Sequence, residues 1–327
     1  MGRRHVQAIR RLRLDLVGVF DVNPESLRLA QHEHALPDSV LFHDFDTLFT
    51  AARPECVIVA TTADSHCALT CRAAERGARY ILVEKPMAVS LAECDRMIEV
   101  CERHGAKLAV NHQMRFMEQY TEPKRLSATD AYGGLTSMTV VAGNFGFAMN
   151  GTHYFEAFRF LADEPPVEVT AWFSPGVVAN PRGIQFEDRA GCIRAVTRTG
   201  RRLYMEIGAD QGQGIHAVYA CRNGLITVNE LTGELFSTER EEQYRSLPTS
   251  RYAMPAVNTR RAINPAEVID TSAAVLAALL HDVNRVSGED GRRVVETLVA
   301  AYESAERGSV PVRVNGTLDR SRVFPWA

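Results

Sequence analysis

Four groups of residues place chemistry-bearing side chains just past the end of an apolar run. Asp21 follows residues 14–20, and Thr61-Thr62-Ala63-Asp64-Ser65-His66 follows residues 56–60. Glu84-Lys85-Pro86 follows residues 80–83, and Asn111 follows residues 107–110, with Gln113 and Arg115 close behind. A carboxylate beyond the first run can accept the hydroxyls of an adenosine ribose, and its charge repels a 2′-phosphate, so Asp21 favours NAD over NADP. The competing role is a turn-forming Asp ahead of Val22-Asn23-Pro24. Thr61, Thr62 and the amides of a helix start can line a cofactor; Ser65 or Asp64 as a plain helix cap is the alternative. In Glu84-Lys85-Pro86 a ring stops the strand ladder beside an acid and an amine. A lysine at a partly buried strand end can have a lowered pKa and exchange a proton near neutrality.

These positions matter because of the elements that present them. Up to residue 116 helical and strand periods alternate at short intervals. Helices are expected over 2–12, from Asn23-Pro24, over 45–52, over 65–77 and over 91–104. Strands are expected over 14–20, 40–42, 56–60, 80–83 and 107–110. Such alternation means a doubly wound α/β domain, whose ligands sit beyond the carboxyl ends of the strands. From 117 to 327 the pattern changes to strand candidates at 135–142, 167–173, 192–197, 203–207, 216–221, 225–228 and 234–237. Helices are expected over 152–161, 271–286 and 292–306. Two domains follow, 1–116 and 117–327, the second with a large, mostly antiparallel sheet.

Composition narrows the function. Lysine and arginine against aspartate and glutamate give 37 − 40 = −3, without long runs of one sign, so neither nucleic acid nor an anionic membrane is an expected partner. No apolar run reaches the length of a membrane span, and a cytoplasmic location is expected. Seven scattered cysteines read as buried, reduced thiols, and no metal site is foreseen. His32 and His34 read as solvated. Trp172 and the phenylalanines at 145, 147, 155, 158 and 160 read as core.

Taken together, these segments resemble the glucose-fructose oxidoreductase, inositol dehydrogenase and rhizopine catabolism (Gfo/Idh/MocA) family. The likeness is carried by Gly2 and His5 in a GxxH opening, Asp21, residues 61–66, Glu84-Lys85-Pro86, the Asn111 and Arg115 region, and Gly151-Thr152-His153. It implies a Rossmann domain, here lacking its first strand, joined to an α+β domain with an open sheet. It implies an NAD-dependent enzyme that moves a hydride between nicotinamide and a secondary alcohol or ketone of a sugar, sugar derivative or cyclitol. By that resemblance Gly2, Asp21, Thr61, Thr62, His66, Glu84, Pro86 and Asn111 bind the cofactor. Lys85, Arg115, Asn150 and His153 meet the substrate, with Lys85 and His153 catalytic. A homodimer or homotetramer through the second sheet is also expected, because an exposed sheet that large is rarely left bare.

Two departures stand out. The family's DxGxH carries a carboxylate where this chain has Met149; Asn150, one residue later, can hydrogen-bond a hydroxyl but cannot take a proton. Of the GxGxxG fingerprint only the last glycine, Gly2, is present. A first strand buried on both faces would contribute on the order of 10 kcal/mol, so a native start upstream of Met1 is expected. These departures leave two alternatives open: a ligand-sensing protein without catalysis, and a glycoside-cleaving relative that retains its NAD.

Overall fold

Short strands and helices alternate to build the first of two units, residues 1–113 with 268–292. The computed structural model describes residues 1–143, 145–212, 214–248, 252, 254–314 and 316–327. Asn144, within the run preceding His153, and Asn315, which opens the tail, lie outside the described residues. In the first unit α1 (Gly2–Arg11) leads to β1 (Val19–Phe20), α2 (Pro24–His34), β2 (Leu41–Phe42), α3 (Phe45–Ala52) and β3 (Cys56–Val59). Then come α4 (Ala63–Glu75), β4 (Tyr80–Val83), α5 (Leu91–Arg103) and β5 (Lys107–Val110). Local chemistry sets the helix ends. Asn23, Asp44 and Ser90 accept the Glu25, Thr47 and Glu93 amides at 3.0, 2.7 and 3.2 Å. Gly77 and Gly105, at φ +93° and +69°, follow α4 and α5 in backbone that disfavours a side chain.

The parallel sheet is in two pieces, β1–β2 and β3–β4–β5. Within the second piece β4 has a partner on each side, and Ile81, Leu82 and Val83 are fully buried. By contrast β3 pairs only with β4, and Cys56, Val57 and Ile58 stay half-buried. The strand expected over 14–20 is reduced to Val19–Phe20, with Leu14 and Val17 exposed. Both differences have one cause. The open edges of β1 and β3 line a single cavity of about 760 Å³, walled also by Val6, Ile9, Leu276 and Leu280. Among the described residues no strand pairs with either of these edges, and without a ladder partner residues 14–18 do not form a strand.

The second unit comprises residues 114–267 and 293–327. It contains α6 (Glu118–Ser127), β6 (Leu135–Gly143), a π turn (Phe147–Gly151), α7 (Thr152–Ala162), β7 (Pro166–Phe173), β8 (Gly191–Thr197) and β9 (Arg202–Gly208). β10 (His216–Cys221), β11 (Gly224–Asn229), β12 (Glu234–Arg240) and β13 (Ala256–Ala262) follow. Beyond α8 (Ile269–His281) and α9 (Gly288–Glu306), β14 (Val312–Arg313) completes a nine-stranded sheet of order β13-β12-β11-β10-β6-β9-β8-β7-β14. Only β6 and β9 run parallel. One face buries Val140, Ile193, Met205 and Tyr219; the other exposes Tyr204, Phe236 and Trp172. The tail packs within this unit, where Trp326 stacks on Phe324 at 4.4 Å and both meet Tyr302.

Several expectations change here. Residues 268–292, assigned to the second domain from the sequence, belong to the first unit, because α8 packs its buried Val275, Leu276 and Leu279 there and lies on α1. Trp172 is 53% exposed, since strand alternation puts it opposite Cys192 on the open face. Cys192 is likewise exposed and Cys56 and Cys221 are half-buried, while Cys67, Cys71, Cys94 and Cys101 are buried as expected. His34 is buried, with its carbonyl accepting from Arg10. β13 and β14 escaped the periodicity because both lie at sheet edges, β13 with the polar run Asn258-Thr259-Arg260-Arg261.

Candidate functional site

In the first unit the adjacent ends of β4 and β5 bring Glu84, Lys85 and Asn111 together. The Glu84 amide continues the ladder to Val59 O at 2.9 Å, and the Asn111 amide reaches Val83 O at 2.8 Å. The two side chains therefore meet, with Asn111 Nδ2 donating to Glu84 Oε1 at 2.9 Å. His5 Nε2 contacts the same oxygen at 2.6 Å. An ionised carboxylate only accepts, so His5 carries its proton on Nε2. Glu84 Oε2 faces the Lys85 amide at 3.4 Å. Glu84 and His5 are each 2% exposed and Lys85 7%, so this is a buried polar cluster.

Burial alone would push the Glu84 carboxyl up. The hydrogen bond and charge of His5, the nearby Lys85 and the Asn111 amide outweigh it, and hold Glu84 well below the usual carboxylate range. Glu84 is thus an ionised organiser of His5, Lys85 and Asn111. His5 had entered only through the GxxH likeness, without a role. Its burial beside Val6 and Ala8 on one face of α1 places it under the strand ends.

The residues after β3 and β4 are tied to one another. His66 sits on α4 with Nδ1 3.0 Å from Pro86 O and Nε2 3.3 Å from Thr61 O. Burial pushes its pKa down, more than the Thr61 and Pro86 carbonyls and the Glu84 charge push it up. A neutral ring has one N–H, and the shorter contact assigns it to Pro86. His66, expected to meet a cofactor, instead tethers the Lys85-Pro86 segment, whose peptide bond is cis. Its two nitrogens already face backbone carbonyls. Neither Asp64 nor Ser65 caps α4: the helix starts at Ala63, and Ser65 Oγ bonds Thr61 Oγ1 and Thr62 O at 2.6 and 2.9 Å.

Features that could receive a dinucleotide are present in part. A Cβ on Gly2 would meet nothing within 4 Å and no side chain caps α1, while the Arg4 amide bonds Met1 O at 2.8 Å. Asp21 stands at the end of β1, one oxygen accepting the Asn23 amide at 2.8 Å in the turn-forming role. Asn111 Oδ1 and His5 Nδ1 are buried with no hydrogen-bond partner among the described residues. These groups fit the diphosphate, ribose and amide ends of such a ligand.

In the second unit Met149 and Asn150 lie on the π turn, and His153 occupies the first turn of α7, 6% exposed. Arg115, expected to bind substrate, ion-pairs with fully buried Glu156, one turn beyond His153. Arg159 holds the same carboxylate at 2.7 and 3.0 Å. A guanidinium locked by a buried acid is a structural strut first. A second buried acid, Glu230, accepts from Tyr120 at 2.5 Å and from Tyr154 at 3.2 Å. Burial, only partly offset by those hydroxyls, pushes Glu230 up to about 7. Glu230 is not apparent from the sequence because Tyr120 and Tyr154 lie 110 and 76 positions away, and of the Glu156 partners only Arg159 is local, Arg115 lying 41 positions away. Among the described residues no group of three or more His, Cys, Asp or Glu gathers to hold a metal, and no helix is long and apolar enough to cross a membrane.

An N-terminal Rossmann unit and a large open, mostly antiparallel sheet define a two-part dinucleotide-binding fold. Residues 1–112 match the model of the Gfo/Idh/MocA oxidoreductase family, described as having an NAD-binding Rossmann fold. Over 121 residues the chain is 33% identical to a 1-carboxy-3-chloro-3,4-dihydroxycyclohexa-1,5-diene dehydrogenase of Comamonas testosteroni, covering 37% of this chain and 30% of that protein. Over 127 residues it is 31% identical to inositol 2-dehydrogenase of Burkholderia multivorans, covering 38% and 36%. The chain thus spans about a third of the length of these curated relatives. The whole fold is similar to an oxidoreductase from Agrobacterium radiobacter solved with NAD+, L-tartaric acid and magnesium, at TM-score 0.79, 18% identity and 97% coverage of both chains. It is also similar to the transcriptional regulator Gal80p of Kluyveromyces lactis, at TM-score 0.74, 10% identity and coverage of 95% and 90%.

Proposed function

We propose that this protein is an NAD-dependent oxidoreductase acting on a secondary alcohol or ketone of a sugar, sugar derivative or cyclitol. The observation that carries the reading is Lys85, buried at a Rossmann strand end beside an ionised Glu84 that His5 and Asn111 hold in place. A relative named for inositol and another named for a cyclic diol support the substrate class. When bound, NAD supplies the hydride acceptor. Gly2 and the α1 start take the diphosphate, Asp21 the ribose, and Thr61, Thr62, Pro86 and Asn111 line the cofactor. A carboxylate at Asp21 favours NAD over NADP. Lys85 hydrogen-bonds the reacting oxygen, and His153 accepts the hydroxyl proton as the carbon gives up its hydride. Asn150 hydrogen-bonds a neighbouring hydroxyl, and Arg115 contributes through Glu156 and α7.

The test is Lys85→Met. It should cut NADH-linked turnover on a panel of sugars and cyclitols by about 10²–10⁴-fold, in the range of general acid–base catalysis, with NADH affinity close to wild type. Turnover near the wild-type level would refute the role. A homodimer or homotetramer through the open face carrying Trp172, Tyr204 and Phe236 accompanies this reading, because an apolar face of that extent is seldom left uncovered. A cytoplasmic location accompanies this reading, because disulfides are rare in that compartment and the cysteines are in the thiol form.

A second reading, a ligand-sensing protein without turnover, is favoured by Met149 in the carboxylate position and by the fold shared with Gal80p. Unchanged NADH absorbance with every keto-sugar, alongside measurable sugar binding, would select it. Release of an aglycone with NAD retained would instead select a glycoside-cleaving relative.

A further inference from the structure

The π turn ahead of His153 is held by a carboxylate from a distant part of the chain. Asp188 accepts the Ala148 amide on Oδ1 and the Met149 amide on Oδ2, each at 2.8 Å, and its own neighbour Arg189 donates to Oδ1 at 2.8 Å. The Phe147 amide reaches Arg189 O at 2.9 Å, so the two segments lie side by side. A helix start leaves its first amides without intrahelical partners, and the cap residue ordinarily supplies the acceptor. Here the cap position is Gly146, which has no side chain to offer. A Cβ there would lie 2.2 Å from Asp188 Cγ. Gly146 and Asp188 therefore form one device, in which the local cap is deleted and a remote carboxylate takes its place.

Asp188 is itself fixed. It is 2% exposed, its carbonyl accepts the Val178 amide at 2.9 Å, and the adjacent Glu187 amide donates to Pro325 O at 2.8 Å. Gly146 O accepts both the Asn150 amide, an α-type bond, and the Gly151 amide, one residue wider, each at 3.1 Å, so the wide closure coexists with the α one. An α-helix advances about 100° per residue. Relaxation of the wide turn to an α turn would rotate the following side chains by about that angle and swing His153 off its line.

We propose that Asp188 is a positioning residue for His153: by capping the π turn across the chain it fixes the phase in which Asn150 and His153 leave that turn. The proposal rests on the reading of His153 as the acid/base. It accounts for a wide turn placed directly ahead of that residue, and for a glycine where a cap side chain would otherwise stand.

The test compares Asp188→Ala with Asp188→Asn, which keeps one acceptor oxygen. The His153 imidazole signal is followed by NMR in histidine-labelled full chain, assigned by its loss in His153→Gln. Asp188→Ala should move the His153 resonance and lower kcat at least tenfold, with KM for NADH unchanged, and Asp188→Asn should recover part of both. Coincidence of the His153 resonance and its pH titration in Asp188→Ala and wild type would overturn the proposal. Failure of both variants to fold would assign Asp188 to stability alone and overturn it as well. If wild type turns over none of the sugars, the oxidoreductase reading falls, while the His153 resonance still decides the role of Asp188.

Discussion

Glu230 offers a perturbation whose size follows from the structure. Its carboxyl is buried behind α6 and α7 and is raised from 4.5 to about 7 by that burial. Between those pH values the folded unit holds a proton that the unfolded chain has released, so stability falls as pH rises through this window. Below pH 4.5 the group is neutral in both states. Above 7 the full cost is present, about 3 kcal/mol at ~1.4 kcal/mol per pH unit. Between pH 5 and pH 8 the change is about 2–3 kcal/mol by the same linkage. Glu230→Gln keeps an acceptor oxygen for one tyrosine hydroxyl, while its NH2 can donate to the other, and it does not titrate. Both tryptophans, Trp172 and Trp326, lie in the second unit, so intrinsic fluorescence reports its unfolding. For a unit of this size ~1 kcal/mol moves Tm by about 2–4 °C. The Tm advantage of Glu230→Gln over wild type should therefore grow by about 5–10 °C from pH 5 to pH 8. Tyr120→Phe, which removes a hydroxyl that lowers Glu230, should extend the wild-type decline to higher pH. Parallel Tm curves for wild type and Glu230→Gln across pH 5–8 would refute the reasoning.

Two further outcomes follow from the same kind of accounting. His5→Ala takes the principal partner from a buried, ionised Glu84 and should destabilise the first unit by about 3–5 kcal/mol in thermal or urea unfolding. Glu84→Gln should flatten the acid limb of stability, because the lowered Glu84 carboxyl stabilises above pH 4.5 and that contribution fades as pH falls; an unchanged acid limb would contradict the assignment. Cys192 is exposed yet donates its thiol to Glu206, and partial burial followed by that bond and its charge raises it to about 11. At pH 8 only about one thiol in a thousand is then ionised. Alkylation should be slow, and Glu206→Gln should accelerate it; rapid labelling of the unaltered protein at pH 8 would contradict this.

Much of the architecture was legible because its causes are local. Asn23-Pro24, Ser90 and Gly105 mark helix ends through side-chain and backbone chemistry within a few residues, and those boundaries fall where the sequence places them, to within about a residue. Pairing is not local. Residues 14–20 have a strand's composition, but only two of them find a ladder partner, and no window of the sequence reports what lies beside them. The same distinction divides the candidate site. Glu84, Lys85 and Asn111 were accessible because each follows an apolar strand. The hold of His5 on Glu84, of Glu156 on Arg115 and of Asp188 on the π turn joins residues 79, 41 and about 40 positions apart. A cap supplied from such a distance leaves only an unremarkable glycine at the helix start. Trp172 was misplaced for a related reason: aromatic content suggests a core, whereas the register of β7 against β8 decides which face receives the ring.

The divided sheet also bears on which part of the first unit is secure. β4 is bonded on both sides, so the strand end carrying Glu84 and Lys85 is built from continuous ladder and full burial. Asp21 stands at the end of a two-residue strand whose single partner is another two-residue strand, with a 760 Å³ cavity on its other side. Isolated two-stranded pairs are marginal in water. What fixes α1 to the larger piece is the His5–Glu84 bond together with its packing on α8. The single carboxylate of Glu84 thus has two duties. It contacts the Lys85 amide and the Asn111 side chain, and through His5 it holds the helix that starts at Gly2, where the proposed function places the diphosphate. Loss of that carboxylate would disturb the β4 strand end and α1 together, whereas loss of Asp21 would remove a turn contact to the Asn23 amide and, on the proposed reading, the ribose partner.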